Sequence, residues 1–146
     1  MIAAVAGPTV SLLVARQQFR ASLISGNREK WSEELRDLLA EYVGLVLIAS
    51  IKRHAMHQDL PLALSADSGL LPTAERIAVV KSKILLMINP NEASHAELSR
   101  AVEAAYQVLI SKECPQLTSI RAESEEITRI GRAVLNAEWH RVKRGD

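Results

Sequence analysis

His54 and His57 stand three residues apart in a stretch with helical periodicity, a separation that lets two imidazoles share one metal ion. Only Asp59 lies near enough to join them, too few ligands to close a structural site, so the pair reads as an exposed helix end and no metal is assigned. Cys114 is the single cysteine, which removes intrachain disulfides and multi-cysteine zinc sites and suits a reducing compartment. Its thiol, beside Pro115 at the expected end of a helix, meets the negative end of the helix dipole; that disfavours the thiolate and makes the residue structural. His95 falls in the turn Ser94-His95-Ala96-Glu97 and His140 in a basic tail, neither with a catalytic partner in view. A glycine-rich phosphate loop, a nucleophile elbow and a zinc-protease helix motif are all missing. These residue types point away from catalysis: no catalytic residue, cofactor or metal ligand is expected, and the protein is read as a non-enzyme.

Charge excludes a further class. Across 146 residues, 18 Lys and Arg face 17 Asp and Glu, and a net charge of +1 provides no field to draw the chain to nucleic acid. Two local basic runs, Lys52-Arg53 and Arg141 to Arg144, lack the interleaved aromatics of a single-strand platform. They compensate helix ends and keep the surface soluble, and beneath a membrane their natural contact is anionic headgroups. No nucleic-acid partner is expected.

The elements that carry these residues are helical. An apolar share of 48%, with six glycines and five prolines, supports one modest domain with a core plus an appendage. No alternating strand pattern, solenoid repeat or low-complexity tract occurs. A helix is expected from Asn27, a favourable N-cap after Gly26, to about His57, with Trp31, Leu35, Leu38, Tyr42, Leu45 and Ala49 as its core stripe. Its second half, Val43 to Ile51, is apolar nearly all round, which predicts burial on several sides. Gln58 to Pro72 reads as a loop whose leucines 60, 62, 64, 70 and 71 pack onto something. A helix from Thr73 to about Ile88 follows, with Ile77, Val80, Ile84 and Ile88 inward, until Asn89-Pro90-Asn91 breaks the chain. Ser94 to Glu97 has the form of a capping box opening a helix with Leu98, Val102, Ala105, Tyr106 and Leu109 in its core. The last helix, about Thr118 to Lys143, presents Ile120, Ile127, Ile130, Val134, Leu135 and Val142.

Residues 1–25 form a separate unit. No side chain from Met1 to Ala15 is charged, and Arg16 and Arg20 follow directly. Fifteen helical residues span roughly 22 Å, short of the roughly 30 Å of a hydrocarbon core. Extension through Phe19 to Ile24 gives the length, with Arg16 and Arg20 snorkelling or facing neighbouring helices, which favours an oligomer. The membrane segment is carried by Ile2, Val5, Val10, Leu12, Leu13, Val14 and Phe19. A cleavable signal peptide fits less well, since no basic region precedes the apolar run and no small-x-small cleavage site stands before Arg16. A buried core helix is the plain alternative to a membrane helix. Pro8 suits the first turn of a helix starting near Gly7, or a kink in a longer one. The positive charges after the run place the domain in the cytoplasm, at the inner membrane. The expected fold is therefore all-α: an N-terminal membrane-associated helix over 1–25 and a cytoplasmic bundle of about four helices over 26–146.

Three segments carry a resemblance. Arg28-Glu29-Lys30-Trp31 through Leu35-Arg36 resembles the Arg-x-x-Trp-x-x-x-Leu-Arg stretch that follows the membrane helix in a family of small bacterial membrane-anchored helical proteins without an assigned activity. Leu86-Met87-Ile88-Asn89-Pro90 with His95 is similar to that family's Leu-x-Leu-Asn-Pro turn, and Glu138-Trp139-His140-Arg141-Val142-Lys143 to its Glu-Trp-x-x-Val-Lys ending. The segments lie in the family's order across the whole chain; the N-terminus departs, being shorter than the transmembrane run of relatives. The resemblance implies a membrane-anchored cytoplasmic helical domain and supplies no catalytic residue. On physical grounds Arg28, Trp31, Arg36, Glu138 and Trp139 form one structural cluster if the first and last long helices pack antiparallel. Each tryptophan then covers an arginine stem and Glu138 pairs with Arg28 or Arg36.

Two functions follow as expectations. The first is a membrane-anchored homo-oligomer, a pore or permeability effector of the kind found in bacterial antiviral defence, in which Gly7, Thr9 and Ser11 can face neighbouring helices. The second is a membrane-tethered adaptor that binds a protein partner. Membrane lipids are partners in both. A helical nuclease needs an Arg and a His a few residues apart, and Arg132 and His140 are too widely spaced.

Overall fold

The longest element runs through residues that could have ended it. In the computed structural model, which describes residues 6–57, 69–111 and 116–144 and only the helical backbone of 6–25 and of 70, α1 runs unbroken over Ala6–His57, 52 residues. The boundary expected at Gly26-Asn27 does not exist. One glycine costs a helix about 1 kcal/mol relative to alanine, too little to end it where Arg28, Glu29 and Lys30 carry the helix on, and Asn27 is an exposed mid-helix residue. Pro8 lies within the first described turn of α1.

Three shorter helices follow: α2 (Leu70–Met87), α3 (Ala93–Ile110) and α4 (Leu117–Arg144), with no strand among the described residues. α2 starts three residues before the expected Thr73. Gly69, at φ 54, turns the chain in the left-handed region, Pro72 fits the first turn, and the Thr73 hydroxyl donates back to the Gly69 carbonyl. The expected capping box is absent, because α3 begins at Ala93, which puts Ser94 inside the helix, and its N-cap Glu92 makes no side-chain cap bond. Glu97 instead meets Arg129 of α4 at 3.1 Å.

Cross-links fix an up-down-up-down bundle. Trp31 of α1 reaches the last turn of α2 while Glu41 meets Arg76 nearer its start, so these two helices are antiparallel. Tyr42 bonds the Val102 carbonyl and Arg53 the Leu109 and Ser111 carbonyls, which makes α1 and α3 parallel. Glu92 to Arg141 and Glu97 to Arg129 set α4 antiparallel to α3. The core is one cluster in which Leu35, Tyr42, Val46, Ile77, Val80, Ile84, Leu98, Val102, Ile120 and Val134 are fully buried. Leu45, Tyr106 and Leu135 of the expected stripes are only partly buried, Tyr106 lying under the Lys81 ammonium at 4.0 Å. Burial on several sides of Val43–Ile51 is met in part: Val46, Ala49 and Ser50 are buried and Val43, Leu45 and Leu47 pack partly buried against the core, whereas Ile48 is 49% and Ile51 55% exposed.

The membrane segment divides. Ile2 and Val5 lie outside the described residues, whereas Val10, Leu12, Leu13, Val14 and Phe19 lie on the α1 backbone. No helix among the described residues is long and apolar enough to cross a membrane, because Arg16, Gln17, Gln18 and Arg20 interrupt the stretch. Leucines 60, 62 and 64, Asp59, Cys114 and Pro115 also fall outside the described residues.

Candidate functional site

The densest polar arrangement lies where the α2–α3 turn meets α1 and the end of α4. Ile88 leaves α2 in an extended conformation, φ −93 and ψ 146, and Asn89 precedes Pro90, which holds the residue before it away from helix. Asn89 then organises the turn. Its side-chain oxygen accepts the Asn91 N–H at 3.1 Å, its carbonyl accepts the Glu92 N–H at 3.1 Å, and its own N–H donates to His95 Nδ1 at 3.1 Å. This is the Asn-Pro turn of the sequence, and its effect is to aim His95 inward from the first turn of α3.

His95 is 5% exposed. The Trp31 ring stacks on it, centroids 5.8 Å apart and planes at 29°, while Trp31 Nε1 donates to the Met87 carbonyl at 3.0 Å and so closes a free carbonyl at the end of α2. From α4, Glu138 is 6% exposed, and Arg141, one turn on, donates to Glu138 and, at 2.9 Å, to Glu92 Oε2. One nitrogen of His95 and one oxygen each of Glu92 and Glu138 lie within 4.8 Å of one another. The hydrogen bonds from Arg141 hold the Glu92 carboxyl below its ordinary range despite partial burial, and the same bonds raise Arg141.

A histidine between two carboxylates has the composition of a divalent-metal site, but the hydrogen bonds assign it otherwise. Because Nδ1 accepts a backbone N–H, the imidazole keeps its proton on Nε2, the reverse of a ligating histidine, which donates its outer N–H and offers the other lone pair. Arg141 already supplies both carboxylates with the positive charge a cation would bring. The arrangement is a latch that ties α1, the turn and α4 together. No serine, cysteine or threonine nucleophile joins His95 among its described contacts.

The expected cluster is distributed over two places. Trp31 and Glu138 meet through His95 in the latch, with Glu138 paired to Arg141 rather than to Arg28 or Arg36. Arg28 has Nη1 buried with no hydrogen-bond partner. Trp139 and Arg36 instead line a groove along the seam of α1 and α4, whose antiparallel course is as expected; there Trp139 is 48% exposed and lies beneath Lys143 Nζ at 5.0 Å. This groove holds about 450 Å³ and continues into a second hollow of about 330 Å³ floored by Leu39, Val43 and Ile127. Gly131 makes room for the close approach of the two helices, since a Cβ there would stand 2.8 Å from Leu39 Cδ1.

Sequence reasoning missed the latch. The spacing Glu92 to His95 and Glu138 to Arg141, one turn in each case, was its available signal, but the two halves lie far apart in the chain. Compared with protein-family models, curated proteins and solved structures, the chain matches none.

Proposed function

We propose that this is a non-catalytic, membrane-anchored helical protein that self-associates at the bacterial inner membrane, bundle on the cytoplasmic side, with a pore or permeability effect in antiviral defence as its output. The observation that carries the reading is α1. Val142, near the end of α4, lines the seam with Glu29, yet α1 continues from Glu29 back to Ala6, roughly 35 Å of helix. Its far part is the uncharged stretch up to Ala15. Lys143 and Arg144 end α4 at the same pole of the bundle, where anionic headgroups would meet them. Since no described helix is long and apolar enough to cross a membrane, on this reading the arm acts with the arms of other copies.

The test is flotation of the full chain with vesicles containing anionic phospholipid, together with release of an entrapped dye. Co-flotation lost in Leu13→Asp, with dye release by the unaltered chain, is the expected result. A chain that remains in the aqueous fraction removes the membrane reading. Flotation with vesicles that stay tight leaves the second reading, a membrane-tethered adaptor for a protein partner, which the partly apolar α1/α4 groove favours.

A further inference from the structure

Building on the proposed self-association, we infer that the α1/α4 seam is the surface through which two copies of this chain pair, related by a two-fold axis parallel to the bundle. Three observations converge on that face. The two hollows share Arg36, Leu135 and Asn136 and so form one trough. Its walls present half-buried Val43 and Leu135 and the half-exposed Trp139, an aromatic anchor whose ring lies beneath the Lys143 ammonium. Along α1 the apolar line continues at four-residue steps through Leu47 to Ile51, the latter 55% exposed.

Charge selects the occupant. At the pole where the arm leaves, the α1 edge of the trough is acidic, Glu29 and Glu33, and on the α4 side the Lys143 ammonium lies over the ring of Trp139, which lines the trough. Neither glutamate has an ion pair among the described residues. A two-fold axis along the bundle lays α1 of one copy against α4 of the other at the same height. Acidic edge then faces basic edge twice, and the Arg36 guanidinium comes to the indole of the other copy. The same axis sends both N-terminal arms the same way, as one membrane requires; an axis across the bundle would send them in opposite directions. A second copy therefore satisfies the shape, the charge and the direction of the arms together.

The experiment measures self-association of the full chain in mild detergent by sedimentation, for the unaltered protein and for E29K, K143E, W139A and L86E. The W139A chain should associate roughly thirtyfold more weakly, the scale of a lost aromatic anchor. Each charge reversal alone should weaken pairing roughly tenfold, because it sets like charges opposite at both contacts. Mixing E29K chains with K143E chains should restore it, since both contacts of the mixed dimer then join opposite charges. This rescue between different molecules is something a role inside one bundle would not give. L86E alters Leu86, 86% exposed on α2, and should pair as the unaltered chain does. Unweakened pairing in the single reversals, or no rescue on mixing, overturns the inference. Vesicle flotation of the same variants separates the two ideas. Monomeric variants that still float leave the membrane reading standing, and a dimer that never floats removes that reading while keeping the seam.

Discussion

Trp31 shows how a single side chain ties together parts of the chain that are remote in sequence. Its indole N–H serves the Met87 carbonyl and its face covers His95, so Trp31→Phe keeps the stacking and removes one partly buried hydrogen bond. A loss of about 1 kcal/mol in urea unfolding is expected, with Trp31→Ala costing about 3 kcal/mol through lost packing as well. Glu138→Ala leaves Arg141 with only Glu92 as its carboxylate and empties a buried position, which should cost about 3 kcal/mol. The pH dependence has a definite sign. Glu92 is held below its ordinary range in the folded protein, so its contribution is fully present above the unfolded carboxylate value and is lost as pH falls through the lower folded one. Glu92→Gln should flatten the acid limb of stability against pH, and an unchanged limb would show that Arg141 gives it nothing. His95 was visible in the sequence only as part of a turn. Trp31, which stacks on it, and Glu138, which lies near it, come from other helices, and spacing along a chain cannot report such a meeting.

At the scale of elements, two glycines with opposite surroundings make a paired prediction. Nothing lies within 4 Å of a Cβ added at Gly26, so Gly26→Ala should stabilise α1 locally by up to about 1 kcal/mol, read as slower amide exchange around residues 24–30. At Gly131 the same change meets Leu39 at 2.8 Å and should be net destabilising by about 1 kcal/mol, since overpacking outweighs the helical gain. Helical class and inward faces were legible: Ile77, Val80, Ile84, Leu98, Val102, Ile120 and Val134 are all buried where their period puts them. Boundaries were less so. Pro72 and Gly26 read as breaks because each is a poor helix residue in isolation. The first lies in a turn that needs no N–H, and the second is outweighed by its neighbours. Ser94 had the right residues after it for a cap, but the turn built by Asn89 moves the N-cap two residues earlier, to Glu92.

For the whole molecule, the bundle is legible from the sequence and its outer faces are not. Periodicity counts how many positions are apolar; it does not say how many neighbours arrive to cover them, which is why Ile48 and Ile51 emerge on the surface. The candidate pairing surface accordingly appears only once α1 and α4 lie side by side. The unbroken course of α1 through Gly26 makes arm and bundle a single screw. With about 100° of rotation per residue, inserting one alanine between Arg20 and Gly26 would turn the arm by a little over a quarter of a revolution relative to the seam, about 0.28 of a turn, while lengthening it by only about 1.5 Å. Inserting seven would nearly restore the original phase. If arms and bundles associate in one assembly, membrane activity should therefore oscillate with insert length at the helical period, whereas a hinged tether would respond only to length.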